Sequence, residues 1–331
     1  MNKKLKFAIY GCGVIAATHV KAIAEVPGAE LYACADISQP LADSFAGKHG
    51  IKSYADFDAL ISENDIDVVC ICTPNGTHSQ LAVKAISAGK HVVLEKPMAI
   101  SSDECEEIIR AVKKYQAKIT VISQMRTSPD IIKAKKMIES GAIGRVILAE
   151  LNMCYYRSGD YYRGSWRGTK SMDGGGALMN QGIHGVDLIL HLMGDVKGVQ
   201  SIVRTLFHDI EVEDSAVAAL EFENGALGVI TASTATHPGF DREIKIYGTR
   251  GAVFLREDRL VKIVIDGASE PCEEFVSVGG AGTNMLLDHA GHARQISDFV
   301  KAINGECVKY PDEYDGKKAV EIIENIYKKT I

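Results

Sequence analysis

The chain has 331 residues, enough for two domains of ordinary size, each able to bury its own core. Its 37 basic and 43 acidic residues leave a net charge of −6, which argues against nucleic acid or an anionic membrane as the main partner, since both are held by clustered positive charge. At 46% hydrophobic residues the composition is that of a globular protein, not of a disordered chain, and no apolar run reaches the roughly 18 residues that cross a bilayer.

Lys3, Lys4 and Lys6 precede an apolar stretch that ends before Cys12. That stretch is too short for the apolar region of a signal peptide, so Leu5–Tyr10 reads as a first β-strand. A glycine turn and a helical pattern through Val26 follow. Leu31–Ala35, Val68–Cys72, His91–Leu94 and Lys118–Ile122 read as further strands, with helical stretches such as Gln80–Ser87 and Asp103–Tyr115 between them. Short apolar strands separated by helices imply a parallel sheet buried on both faces, wound in both directions.

The rhythm changes after about residue 124. A helix is expected at Asp130–Glu139, an extended segment at Arg145–Tyr156, a polar and aromatic loop at Arg157–Asp173, and a helix at Ala177–Met193. From Gly198 to about Val276 the chain reads as successive strands, with Asn224-Gly225 as a hairpin signal. An antiparallel sheet with one open face is the natural product. Helices close the chain near Asp288–Ile303 and Tyr314–Lys328. The expected division is residues 1–123 as a nucleotide-binding domain and 124–331 as a substrate and oligomerisation domain. The eight cysteines fit neither a disulfide framework nor a zinc spacing, and read as reduced and mostly buried in a cytoplasmic protein.

Chemistry-bearing residues collect at strand ends. Gly11-x-Gly13-x-x-Ala16 follows the first strand and opens the first helix. Gly11 serves the turn, Gly13 lets a pyrophosphate approach the backbone, and Ala16 keeps helix and strand close. With Val14 and Ile15 they form a helix N-terminus whose unpaired N–H groups suit phosphate. Asp36, at the end of the second strand, suits the adenosine ribose hydroxyls. No arginine follows it to take a 2′-phosphate, so NAD is favoured over NADP. The alternative is a turn without a ligand beside a surface aspartate.

Thr73-Pro74-Asn75 and His78 follow Val68–Cys72, at the edge where a doubly wound sheet holds its ligand. Asn75 or Thr77 could also simply cap the next helix. Glu95-Lys96-Pro97 follows His91–Leu94. There Lys96 can hydrogen-bond a reacting hydroxyl and stabilise alkoxide character, or merely pair with Glu95. Gln124 and Arg126, past the last of these strands, are candidates for the same pocket.

Gly11-Cys12-Gly13 with His19, Thr73-Pro74-Asn75-x-x-His78 and Glu95-Lys96-Pro97 together resemble the Gfo/Idh/MocA family, which groups glucose–fructose oxidoreductase, inositol dehydrogenases and many sugar oxidoreductases. The resemblance covers essentially the whole chain. It implies a Rossmann domain followed by a domain with a large, open, mostly antiparallel sheet, through which members form dimers or tetramers. It implies binding of NAD, with Glu95 and Gln124 near it, and a small sugar or polyol as substrate.

A second stretch, Asp173-Gly-Gly-Gly-Ala-Leu-Met-Asn180-Gln-Gly-Ile-His184-Gly-Val-Asp187, resembles the family's glycine-rich entry into an active-site helix. Asn180 and His184, four apart, share the face of an α-helix. The resemblance makes His184 the acid–base group, a role that suits an imidazole near neutral pH. Inositol dehydrogenases carry an aspartate where this chain has Asn180. Asparagine is more similar to the nucleotide-sugar branch, such as UDP-N-acetylglucosaminuronate 3-dehydrogenases, as is Tyr161-Tyr162 … Trp166-Arg167. Tyr161, Trp166 and Arg167 suit a sugar ring with anionic groups, or equally an oligomer contact.

His184, Asp187 and His191 stand at spacings that could share one helix face, but they lack a fourth ligand, and no metal is expected. His289 is a weaker pocket candidate. The expected function is hydride transfer between NAD and a secondary alcohol, with Lys96 and His184 as catalytic groups whose roles could be exchanged. Two further classes compete: a glycosidase that uses tightly held NAD for transient oxidation, and a non-catalytic NAD-binding regulator.

Overall fold

Phe7, Ala8 and Ile9 expose no surface, because the first strand lies in the middle of a sheet. The structure, a computed structural model, describes residues 4–271 and 289–331. Those residues form two units, 4–124 with 289–317 and 125–271 with 318–331.

The first unit carries six strands: β1 (Leu5–Tyr10), β2 (Ala29–Ala35), β3 (Lys52–Tyr54), β4 (Val68–Ile71), β5 (His91–Leu94) and β6 (Ile119–Val121). They pair in the order β3-β2-β1-β4-β5-β6, all parallel. Helices α1 (Ala16–Ala24), α2 (Gln39–His49), α3 (Phe57–Ser62), α4 (His78–Ser87) and α5 (Ser102–Tyr115) make the crossovers. The chain steps from β1 outward to β2 and β3, then returns past β1 to β4. That reversal opens a crevice at the carboxyl edge beside β1. The strand β3 was not expected from the sequence. It is three residues long, at the sheet edge and only partly buried, so it leaves no apolar run.

The second unit holds α6 (Pro129–Glu139), β7 (Val146–Cys154), α7 (Gly159–Tyr162), α8 (Ile183–Met193), and β8 (Val196–Arg204). It continues with β9 (Ser215–Phe222), β10 (Leu227–Ser233), β11 (Glu243–Gly248), β12 (Gly251–Arg256), β13 (Arg259–Ile265) and β14 (Ala268–Pro271). The sheet order is β14-β13-β12-β11-β7-β10-β9-β8, antiparallel except for the β7–β10 pair. Along β9 burial alternates: Ala216, Ala218, Leu220 and Phe222 face inward, while Val217 is exposed. Asn224 and Gly225 turn β9 into β10, with Gly225 at φ +81°.

Two helices close the chain, α9 (His289–Ile303) and α10 (Glu313–Lys328); Asp288, where the first was expected to begin, lies outside the described residues. α9 departs from the expected division at residue 123. Its Ala293, Ile296, Phe299 and Val300 join Phe7, Ile9, Ile23, Val26 and Val68 in one apolar cluster of the first unit. The cause is amphipathicity: the apolar face of α9 covers one face of the parallel sheet, and burial of Phe299 and Ile296 contributes about 1.5–3 kcal/mol each. Among the described residues, no helix is long and apolar enough to cross a membrane.

Candidate active site

The carboxyl edge of the parallel sheet gathers the strand-end residues. Gly11 leaves β1 at φ +94°, and a Cβ there would stand 2.5 Å from the Cys72 carbonyl oxygen, so only glycine fits. A Cβ on Gly13 would meet no atom, which leaves open the side from which a pyrophosphate would come. Val14 is 83% exposed on the same turn. Ile15 is the N-cap of α1 and supplies no side-chain cap, so the first N–H groups of the helix keep the capacity to bind an anion.

Asp36 follows β2, and one carboxylate oxygen accepts the Cys12 N–H at 2.8 Å while the other accepts the Ser38 N–H at 2.8 Å. The carboxylate thus ties the glycine turn to the β2–α2 turn and retains lone pairs for ribose hydroxyls. Ile37 beside it is an apolar side chain left 97% exposed at the same edge. An isolated isoleucine after a strand carries no sequence signal.

Past β4, Asn75 is buried at the head of the 3₁₀ turn Asn75–Thr77. Thr77 stands at the N-cap of α4, but its hydroxyl meets Thr73 Oγ1 at 2.7 Å and the Pro74 carbonyl at 2.7 Å rather than the helix N–H groups. His78 corrects an expectation. It has no exposed surface, and its ring nitrogens lie 2.7 Å from the Pro97 carbonyl oxygen and 3.0 Å from that of Thr73. Burial lowers its pKa and the two carbonyls oppose that effect. It braces the two strand-end turns from behind and offers no surface to a cofactor.

Lys96 stands half-buried at the end of β5, with a cis bond to Pro97. Beyond it, Ser101 Oγ accepts the Glu104 N–H at 3.2 Å and Glu104 takes the Ile100 N–H at 3.3 Å, which fixes the start of α5 and closes the loop from Lys96. Glu95 also differs from expectation. Its carboxylate is buried 2.7 Å from His19 Nε2 and 3.5 Å from His292 Nε2, turned inward rather than toward a ligand. Gln124 follows β6 in the turn Gln124–Thr127.

In the second unit the helix carrying His184 is not α-helical throughout. Ala177–Gly182 is a π-helical segment, and α8 begins at Ile183. The four-residue spacing of Asn180 and His184 therefore crosses a change of pitch, and the α-helical same-face argument does not carry over. Asn180 is buried and its Nδ2 donates to Asp173 Oδ1 at 2.5 Å; Asp173 also accepts the Gly168 N–H. His184 is half-buried on the first turn of α8. The π segment is held by Glu213, whose buried carboxylate accepts the N–H groups of Gly176 and Leu178 and the hydroxyl of Tyr327. Burial raises the Glu213 pKa against those bonds. Gly176 has to be glycine, since a Cβ would collide with the Glu213 carbonyl oxygen.

Arg126 is bonded through Nε and Nη2 to both oxygens of Asp187, at 2.9 and 2.6 Å, in a buried fork. This bidentate pair engages the guanidinium expected in a substrate pocket and the carboxylate considered for a metal. His191 is half-buried farther along α8. His289 pairs with Glu25 at 2.7 Å on a partly exposed surface. The aromatic loop is stacked on itself. The guanidinium groups of Arg157 and Arg167 lie over the Tyr161 ring at 5.2 and 4.6 Å, and Arg167 also covers Trp166 at 5.2 Å. Gln181, next to Asn180, donates to the Tyr161 hydroxyl at 2.8 Å and accepts from Arg157 at 2.5 Å.

The comparisons agree with this layout. Residues 5–123 match the family model described as an oxidoreductase family with an NAD-binding Rossmann fold, and residues 131–254 match the GFO/IDH/MocA C-terminal domain. The chain belongs to the Gfo/Idh/MocA family and is an NAD-dependent oxidoreductase. It is 30% identical to a levoglucosan dehydrogenase of Pseudarthrobacter phenanthrenivorans, over 72% of this chain and 68% of that one. It is 27% identical to an inositol 2-dehydrogenase of Rhizobium meliloti, over 96% and 94%. Among solved structures, the WlbA dehydrogenase of Bordetella pertussis, in complex with NADH and UDP-GlcNAcA, is similar with a TM-score of 0.88 at 29% identity, covering 99% of this chain and 96% of that one.

Proposed function

We propose that the protein moves a hydride between C4 of the nicotinamide of NAD and a carbon bearing a secondary hydroxyl of a sugar, nucleotide sugar or cyclic polyol. The observation that carries this is the row Gly11, Asp36, Thr73 and Lys96 on one carboxyl edge of one parallel sheet. NAD supplies the hydride acceptor when bound. Gly11, Gly13, Val14, Ile15 and Asp36 hold its adenosine diphosphate half, and Thr73, Pro74, Asn75 and Gln124 face its other half. In the oxidation, the alcohol carbon gives its hydrogen with both electrons to the cofactor. His184 takes the hydroxyl proton, and Lys96 hydrogen-bonds the same oxygen while negative charge develops on it.

Among substrates we favour a UDP-amino-sugar acid oxidised at C3. Asn180 in place of a carboxylate supports this, as do the paired guanidinium groups of Arg157 and Arg167 beside Tyr161 and Trp166, which suit an anionic ring. The same reading takes the protein as cytoplasmic, supported by seven free cysteines among the described residues. It takes it as a dimer or tetramer through the second unit's sheet, supported by exposed Ile202 and Val217, paired across β8 and β9.

The test is a panel of polyols, hexoses and UDP-sugars with NAD, followed by NADH formation and analysis of the sugar product. Turnover with the sugar skeleton intact is the expected result, and a cleaved glycosidic bond would point to a glycosidase. Lys96→Ala is expected to bind NADH and lose roughly 10²–10⁴ in turnover. Unchanged turnover overturns the role of Lys96, and NADH binding with no turnover on any sugar favours a regulator.

A further inference from the structure

Glu95 follows β5, and its own N–H is fixed by the Ile71 carbonyl of β4 at 3.1 Å. Its carboxylate divides its two oxygens. Oε1 lies 2.7 Å from His19 Nε2 and 3.5 Å from His292 Nε2. Oε2 accepts the backbone N–H of Lys96 at 3.2 Å. All three side chains are buried, and the two imidazole rings meet edge to face with centroids 5.3 Å apart. His19 comes from α1, one turn past the dinucleotide turn, and His292 comes from α9. One carboxylate therefore joins the helix at the phosphate end, the late helix of the chain and the main chain of Lys96.

We propose that His19 and His292, through Glu95, act as a clamp that positions Lys96 for hydride transfer, with His292 a positioning residue contributed from the far end of the chain. The inference rests on the role given to Lys96 under the proposed function. An ionised carboxylate is tolerated in the interior only when donors surround it. Burial by itself raises the Glu95 pKa, and the hydrogen bond from His19 together with the nearby His292 ring outweighs it and holds the group well below the usual glutamate range. Nδ1 of His19 and both ring nitrogens of His292 make no hydrogen bond, so His292 meets Glu95 as a 3.5 Å polar contact and no proton chain runs on from the cluster. Its outlet is the Lys96 main chain.

His78 holds the neighbouring residue from the other flank, through the Pro97 carbonyl. The lysine side chain is long and flexible, so the fold controls it through the position of its backbone. An error of about 1 Å there costs on the order of 10²-fold in rate.

The ligating atoms of the three residues lie within 4.8 Å of one another, which invites a metal reading. The 2.7 Å contact between His19 and Glu95 is a direct hydrogen bond. Two ligands of one zinc ion, each about 2.0–2.1 Å from it, stand more than about 3 Å apart.

The test compares His292→Leu, which removes the polar contact to Glu95, with His292→Gln, which keeps a polar group beside it. Amide exchange of a peptide spanning residues 91–98, NADH affinity, kcat, KM and melting temperature are measured for each. In His292→Leu, exchange at the Lys96 amide is expected to rise about tenfold and kcat to fall by roughly 10²-fold, on the scale of that misplacement. NADH affinity and KM are expected to stay within about threefold, and His292→Gln to recover most of kcat. Unchanged exchange in His292→Leu overturns the clamp. Equal loss of kcat in both variants, tracking melting temperature, also overturns it, as does stoichiometric zinc bound by the wild type and lost in His292→Gln. The exchange readout needs no substrate, so absence of turnover on every sugar would strike the proposed reaction and leave the clamp to be judged by exchange.

Discussion

Gly11 and Gly13 stand two apart in one motif, yet different neighbours require them. Gly11 is held by the protein, through φ +94° and the Cys72 carbonyl, whereas Gly13 borders open space. Gly11→Ala is therefore expected to destabilise the first unit by more than about 1 kcal/mol, since alanine resists that backbone conformation. Gly13→Ala is expected to leave unfolding within about 0.5 kcal/mol of wild type while weakening NADH at least tenfold, about 1.4 kcal/mol. Urea unfolding and NADH titration of both variants check this, and Gly13→Ala that unfolds early but binds normally would refute it. The motif is legible because its strand, turn and helix are contiguous. The tasks of His19 and His78 are not. His19 meets Glu95 across 76 residues, and His78 is enclosed by two main-chain carbonyls that no side-chain pattern encodes.

At the scale of elements, the helix expected over Ala177–Met193 exists, but its first third is π-helical. The cause lies outside it, in the Glu213 carboxylate, two residues before β9, which receives the Gly176 and Leu178 N–H groups. Arg126 shows the same limit. Its place after β6 marked it as a pocket residue, whereas 61 residues on Asp187 accepts from its Nε and Nη2. Removing one partner of such a buried pair leaves the other charge uncompensated, at a cost of about 3–5 kcal/mol, while an apolar pair is often neutral. Asp187→Leu is expected to lower the stability of the second unit by about that much, and Arg126→Leu with Asp187→Leu to restore most of it. Urea denaturation followed by a probe in the second unit checks this. A single variant costing less than about 1 kcal/mol would show the pair to be ordinary surface chemistry.

For the whole molecule, alternation of strand and helix announced the parallel sheet, and the change of rhythm near residue 124 announced the second one. The return of α9 to the first unit was not legible, because an amphipathic helix does not name the surface it covers. Here that surface is Phe7, Ile9 and Ile23, reached through Ile296 and Phe299. This arrangement makes a test across the length of the chain possible. With NADH at the Gly11–Asp36 edge, as proposed, whatever unfolds together with that edge is stabilised by about 2.7 kcal/mol at a hundredfold excess over Kd. α9 shares the apolar cluster with β1 and reaches Glu95 through His292, so its amides should gain protection in step with β1 and β4. Hydrogen exchange read by mass spectrometry, with and without NADH, measures this. Slower exchange over residues 289–303 matching that of Leu5–Tyr10 is the expected outcome. If β1 gains protection and α9 does not, the late helix is a separate folding unit, and its histidine cannot hold Lys96 in place.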